Sequence, residues 1–172
     1  FMAALITSIM GNTNQVSLYI QECKRLGIKI LPPDINESYS KFTVKDGAIR
    51  FGLAAIKNVG ASAIDSIVET RKRGGKFHSF VDFCQRVDLN VINKRMIESM
   101  IKCGTFDSLG ANRAQLLAIY ERILEGVNQD RKRNVEGQFS LFEVISPEEN
   151  PDLSLDILPN IKEFPERTLL SV

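Results

Sequence analysis

Ile56-Lys57-Asn58-Val59-Gly60-Ala61-Ser62-Ala63-Ile64-Asp65-Ser66-Ile67-Val68 is the stretch on which the fold turns. Two apolar helical runs flank a tight turn that ends in Val-Gly. Val59 is expected to pack inward. Gly60 is expected to make the turn, in a backbone conformation that other residues avoid. The helix from Ala61 then presents its first N–H groups outward. Those donors have no partner within the helix, and the helix dipole adds partial positive charge, so a phosphate fits there. Lys57 and Ser62 add side-chain contacts. Such contacts position a protein on a nucleic-acid backbone without reading bases. An ordinary αα-corner containing a glycine has the same pattern.

A second candidate separates the two readings. Met96, Ile97, Met100 and Ile101 lead into Lys102-Cys103-Gly104-Thr105-Phe106-Asp107, then Leu109 and a helix from Asn112. Two such units form a tandem helix-hairpin-helix, a compact pseudo-symmetric module that clamps phosphates on both strands. Arg113, at the start of the last helix, reaches a phosphate, sits exposed, or holds the preceding loop. The candidate DNA contacts are therefore Lys57, Asn58, Val59, Gly60, Ala61, Ser62, Lys102, Gly104 and Arg113.

Outward from this core, helices are expected near 53–57, 61–73, 79–87, 93–103 and 112–127. Ser79, Asn93 and Asn112 serve as caps, and Gly74-Gly75 and Gly104 as stops. Towards the N-terminus, residues 1–10 read as the end of a helix. Gly11-Asn12-Thr13 breaks it and caps the next, in which Val16, Tyr19, Ile20, Cys23 and Leu26 recur at helical spacing. Gly27 stops that helix. A strand at 28–31 ends at Pro32-Pro33. Lys45-Asp46-Gly47 turns a β-hairpin between 41–44 and 48–51, which gives a small β-meander. Beyond 128 the apolar period is lost and four of six prolines (Pro147, Pro151, Pro159, Pro165) crowd the end. That region reads as a linker and extended tail.

Composition sets further bounds. The chain has 172 residues, 44% hydrophobic and 25% charged, with net charge +1. No apolar run approaches the roughly 20 residues of a membrane span. Cys23, Cys84 and Cys103 are odd in number and far apart, which fits reduced thiols and neither a disulfide frame nor a zinc site. The near-zero net charge means that any nucleic-acid contact is local. Basic patches occur at Lys24-Arg25, Arg71-Lys72-Arg73 with Lys76, Lys94-Arg95 and Arg131-Lys132-Arg133. Each also reads as a solvated helix face. His78, the single histidine, has no ligand-spaced partner and reads as a loop residue. Phe77, Phe80 and Phe83 read as core rather than a base-stacking platform. Gly74-Gly75 lacks the Gly-Lys-Ser/Thr ending of a nucleotide-phosphate loop.

Phe1-Met2-Ala3-Ala4-Leu5, Gly27 to Asn36, Phe51 to Lys57, Gly75-Lys76-Phe77, Asn93-Lys94-Arg95 and Gly104 to Gly110 together resemble, in order and nearly end to end, the α subunits of bacterial DNA polymerase III, the C-family replicative polymerases. The resemblance implies a fragment of a longer, mainly α chain. Residues 1–52 would be the end of the fingers, a helix plus β-hairpin remnant. Residues 53–127 would be the tandem helix-hairpin-helix domain. Residues 128–172 would be a linker with an extended tail leading towards a missing OB domain. Gln138-Phe139-Ser140-Leu141-Phe142 resembles the peptide that hooks such polymerases onto the sliding clamp (the β subunit). In it Leu141 and Phe142 fill a pocket and Gln138 bonds at the rim. The partners implied are double-stranded DNA, the clamp and other holoenzyme subunits, with no membrane, in the bacterial cytoplasm at the nucleoid. The parent would be a DNA-directed DNA polymerase whose palm holds Mg2+. No Asp-x-Asp pair occurs here, so no catalytic residue, metal ligand or cofactor is expected in this chain, and no activity from it alone. The alternatives are a DNA-repair or scaffold protein docking through its hairpins, or an error-prone paralogue.

Overall fold

The computed structural model describes residues 1–135 and 159–164. The chain is mainly α. Helices α1 (Met2–Ser8) and α2 (Thr13–Arg25) precede strands β1 (Ile30–Leu31), β2 (Thr43–Lys45) and β3 (Ala48–Arg50). A 3-10 turn at Leu53–Ala55 leads to α3 (Ala61–Gly74), α4 (Phe80–Arg86) and α5 (Lys94–Lys102). A second 3-10 turn, Asp107–Leu109, leads to α6 (Arg113–Val135).

Local chemistry places these elements. Asn12 accepts from the Gln15 amide at 3.2 Å, Ser79 from Asp82 at 3.1 Å, and Asn93 from Met96 at 3.0 Å, so each expected cap satisfies a first-turn donor. Asp46 and Gly47 both take positive φ (52° and 74°), the two-residue turn whose twist suits an antiparallel hairpin. The three strands are not a meander. The order is β1-β3-β2, with β1 parallel to β3 and β2 antiparallel to it. The loop after Pro33 carries the chain past the sheet before β2 and β3 form, so β1 meets β3 on its free edge.

Two apolar clusters result. The smaller joins Ile6, Val16, Cys23, Phe42 and Ile49 of the first fifty residues. The larger joins Leu53, Ile64, Ile67, Phe83, Ile97, Met100, Phe106, Leu116 and Leu124 of the helical part. Phe77, Phe80 and Phe83 are core, as their spacing predicts. Phe106 from the second turn meets Phe80 and Phe83 edge-on, each at 5.0 Å between centroids. The cysteines are free thiols. Burial pushes Cys84 up to about 12, against the opposing charge of Arg131, which leaves it unreactive at neutral pH.

Three arginines from the basic patches or beside them serve the fold. Arg71 is buried on the apolar face of α3. Its Nη1 donates to the carbonyls of Ile35 (2.8 Å) and Ser38 (3.0 Å), and its guanidinium lies over the Tyr39 ring. The loop before β2 is thereby fastened to the helical part. Arg86 donates to the carbonyls of Thr70, Gly75 and Lys76, closing the end of α3. Arg131 donates to those of Cys84, Gln85 and Val87, closing the end of α4. Hydrogen bonds from a charged donor contribute about 1.5–3 kcal/mol. The expectation that order ends near residue 128 is therefore corrected. The helix runs on to Val135 because Arg131, one turn beyond Val127, still faces the core.

Candidate nucleic-acid interface

The first hairpin is built from the 3-10 turn at Leu53–Ala55, the turn 56–60 and α3. Its entering helix is thus a single turn, shorter than the sequence suggests. Leu53 and Ile56 are buried and Val59 packs against the same cluster, which fixes the turn from below. The left-handed residue is Asn58 (φ 66°), not Gly60, whose φ of −83° and ψ of 156° suit any residue. This corrects the assignment of the special conformation to the glycine. Asn tolerates that region, and here its amide also donates to Ser99 Oγ at 3.1 Å, tying the turn to α5.

Gly60 has a different consequence. It is the N-cap of α3, and no side chain caps that end. A Cβ placed on it would meet no atom within 4 Å. Gly60, Ala61 and Ser62 are all exposed, as are Lys57 and Asn58. No acidic residue stands in the first turn of α3. The beginning of a fourteen-residue helix therefore has no side-chain cap and no acidic residue in its first turn, with one lysine on the preceding turn. Those are the physical requirements for admitting a phosphate.

The second hairpin is sealed. Gly104 has φ 78° and is buried, and its N–H donates to the Ile101 carbonyl at 2.9 Å. It shapes the turn and does not face outward. A Cβ there would press on the Arg113 guanidinium and lie 2.6 Å from Asp107 Oδ2. Thr105 ties the turn down, donating its N–H to Met100 and accepting from Ile35 at 2.8 Å. Arg113 holds the loop, the third of its expected roles. It pairs with Asp107 at 2.8 Å and donates to the Lys102 carbonyl at 3.1 Å, with its side chain 14% exposed. The Asp107 hydrogen bond, outweighing burial, raises the guanidinium's proton affinity further. Lys102 pairs with Glu98 at 2.8 Å.

The start of α6 is capped twice. Asn112 accepts from the Gln115 amide at 2.8 Å, while Gln115 accepts from the Asn112 amide at 3.0 Å. The Glu163 carboxylate then accepts from the amides of Arg113 (2.9 Å) and Ala114 (3.3 Å). Nothing in the sequence of Glu163 signals this placement, because the contact spans about fifty positions.

The expected site residues thus divide. Lys57, Asn58, Gly60, Ala61 and Ser62 are consecutive with Val59 and all exposed, while Val59 packs on the core. Gly104 and Arg113 are committed to the architecture of the second turn, while Lys102 makes a half-exposed ion pair with Glu98 on its own helix. Gln138, Leu141 and Phe142 lie outside the described residues. Among the described residues no helix is long and apolar enough to cross a membrane. Among them, too, no group of three His, Cys, Asp or Glu is placed to hold a metal ion.

A family model for the helix-hairpin-helix motif matches residues 27–116. The DNA polymerase III subunit alpha of Borreliella burgdorferi is 46% identical over 142 residues, covering 83% of this chain and 12% of that protein. Those of Vibrio cholerae and Escherichia coli K12 are each 39% identical over 171 residues, covering 99% of this chain and 15% of theirs. The chain therefore spans less than a sixth of the length of these relatives. With over half its residues inside the motif's match, the chain belongs to the helix-hairpin-helix family, and nearly end to end it is similar to one part of DNA polymerase III alpha subunits.

Proposed function

We propose that this chain is the part of a bacterial replicative DNA polymerase that grips duplex DNA by its backbone and tethers the enzyme to the sliding clamp. The single observation that carries the DNA reading is the bare N-terminus of α3, where Gly60 leaves space for a phosphate and exposed Lys57 stands beside it. Backbone amides and one lysine recognise phosphate geometry and charge, so the grip is indifferent to sequence. A polymerase needs that indifference to move along its product. The similarity to polymerase III alpha subunits supports the same reading. In the whole protein, nucleotidyl transfer belongs to Mg2+-holding acidic residues outside this chain, and the chain alone is expected to be inactive. Its setting is the cytoplasm, at the nucleoid, among other holoenzyme subunits.

Clamp tethering rests on the motif Gln138-Phe139-Ser140-Leu141-Phe142, in which two apolar anchors follow a rim amide. Calorimetry against a bacterial sliding clamp is expected to show binding that the Gln138→Ala/Leu141→Ala/Phe142→Ala variant loses. Binding equal in both chains would remove the peptide from the account. For DNA, fluorescence anisotropy on two duplexes of unrelated sequence is expected to give equal affinities that fall linearly in log salt. A marked preference for one duplex would contradict backbone recognition.

A further inference from the structure

The segment 159–164 does more than follow the helical domain. Asn112 Nδ2 donates to the Ile161 carbonyl at 2.9 Å and Gln115 Nε2 to the Pro159 carbonyl at 2.9 Å. Both residues lie in the first turn of α6 or just before it. They hold the segment so that Glu163 lands on the Arg113 and Ala114 amides, with its second oxygen also accepting from Phe164 at 2.8 Å. Two neutral side chains thus position an anion at the place where the second hairpin would receive a phosphate. The carboxylate has the charge, the acceptor oxygens and the amide partners that a phosphate would have.

We infer that this segment is a built-in competitor of DNA. Glu163 occupies the second hairpin's phosphate position, and duplex backbone must displace it before both hairpins engage. The inference rests on the duplex-binding reading above. Its consequence is graded affinity: the first hairpin is always available, while the second joins only when the strap yields. Burial alone would favour the protonated acid. The amides of Arg113, Phe164 and Ala114, with the Arg113 charge, outweigh it and hold Glu163 below the usual carboxylate range, so the strap carries its charge at neutral pH.

The test uses the full chain with Glu163→Ala and, should that fold poorly, Glu163→Gln, which keeps the shape without the charge. Glu121→Gln on the exposed middle of α6 controls for generic loss of negative charge. If the strap is seated for about 70–90% of the time, its loss tightens duplex binding about 3- to 10-fold. One added phosphate contact also steepens the log–log salt slope by roughly 0.9. In nitrogen-15 NMR spectra, duplex should move the Arg113 and Ala114 amides at lower DNA concentration in the Glu163 variants than in the parent. Duplex affinity that rises no more than in Glu121→Gln, with those amides unmoved, overturns the strap while leaving the first hairpin's role intact. Absence of duplex binding in every chain, with Gly60 to Ser62 amides also still, overturns both.

Discussion

The two hairpins solve the same turn in opposite ways. In the first, an asparagine takes the left-handed conformation at the surface and a glycine stands bare at the head of α3. In the second, a buried glycine takes the left-handed conformation and the head of α6 is closed by Asn112, Gln115 and Glu163. The first turn leaves the head of α3 without a side-chain cap. The second turns its groups into the fold: Arg113 onto Asp107, the Thr105 carbonyl onto the Ile35 amide, and the Phe106 ring onto the Phe80–Phe83 pair. One sequence motif thus yields one helix head left open and one closed by the chain's own side chains, and the glycine alone does not tell which.

The largest expected effect separates the glycines. Gly104→Ala combines a positive φ with contact on the Arg113–Asp107 pair and should lower stability by about 2–3 kcal/mol in urea titration. Gly60→Ala should change it by about 0.5 kcal/mol or less, because the space is open and the backbone ordinary. Equal losses would erase the distinction. Next, Arg113→Met should cost about 1.5–2 kcal/mol, since it orphans Asp107 and the Lys102 carbonyl. Unchanged stability would mean that its contacts to Asp107 and the Lys102 carbonyl do not support the turn. Asn58→Ala should cost about 1 kcal/mol and Asn58→Gly much less, as only glycine replaces asparagine cheaply at positive φ. Lys57→Ala should leave stability alone and weaken duplex binding about 2- to 5-fold, with a salt slope shallower by roughly 0.9. The smallest effect is one of pH. Glu163 is held below its ordinary 4.5, so its contribution is full above that value and is lost as pH falls through the lowered one. Amide shifts of Arg113 and Ala114 should therefore change below about pH 4.5, while those of Gly60 to Ser62 stay constant.

Much of this was readable in the chain. Caps at Asn12, Ser79, Asn93 and Asn112 carry local signals, because a cap acts within three residues. The phenylalanine core followed from spacing. The arginines were misleading for a physical reason. Arg71 lies on the stripe of Ile64 and Ile67, and Arg131 on that of Leu124 and Val127, each at the next helical step. An arginine on an apolar stripe has carbonyls to reach, and that reading extends α6 beyond residue 128 and takes Arg71 and Arg131 out of their basic patches, whose neighbours Lys72, Arg73, Lys76 and Lys132 stay exposed. The start of α3 follows from the sequence, but its left-handed residue does not, since Asn58 and Gly60 both permit a turn and only tertiary packing chooses. The seating of Glu163 on α6 was not legible at all. It depends on a contact across about fifty positions, with no periodic trace.

The most direct measurement is a nitrogen-15 NMR titration of the full chain with a short DNA duplex at low salt. A phosphate grip at the head of α3 predicts that the amides of Gly60, Ala61 and Ser62 move first and move equally with duplexes of different sequence. Stationary Gly60 to Ser62 amides in a chain that nevertheless binds duplex would contradict it, because the grip would then lie on another face of the molecule.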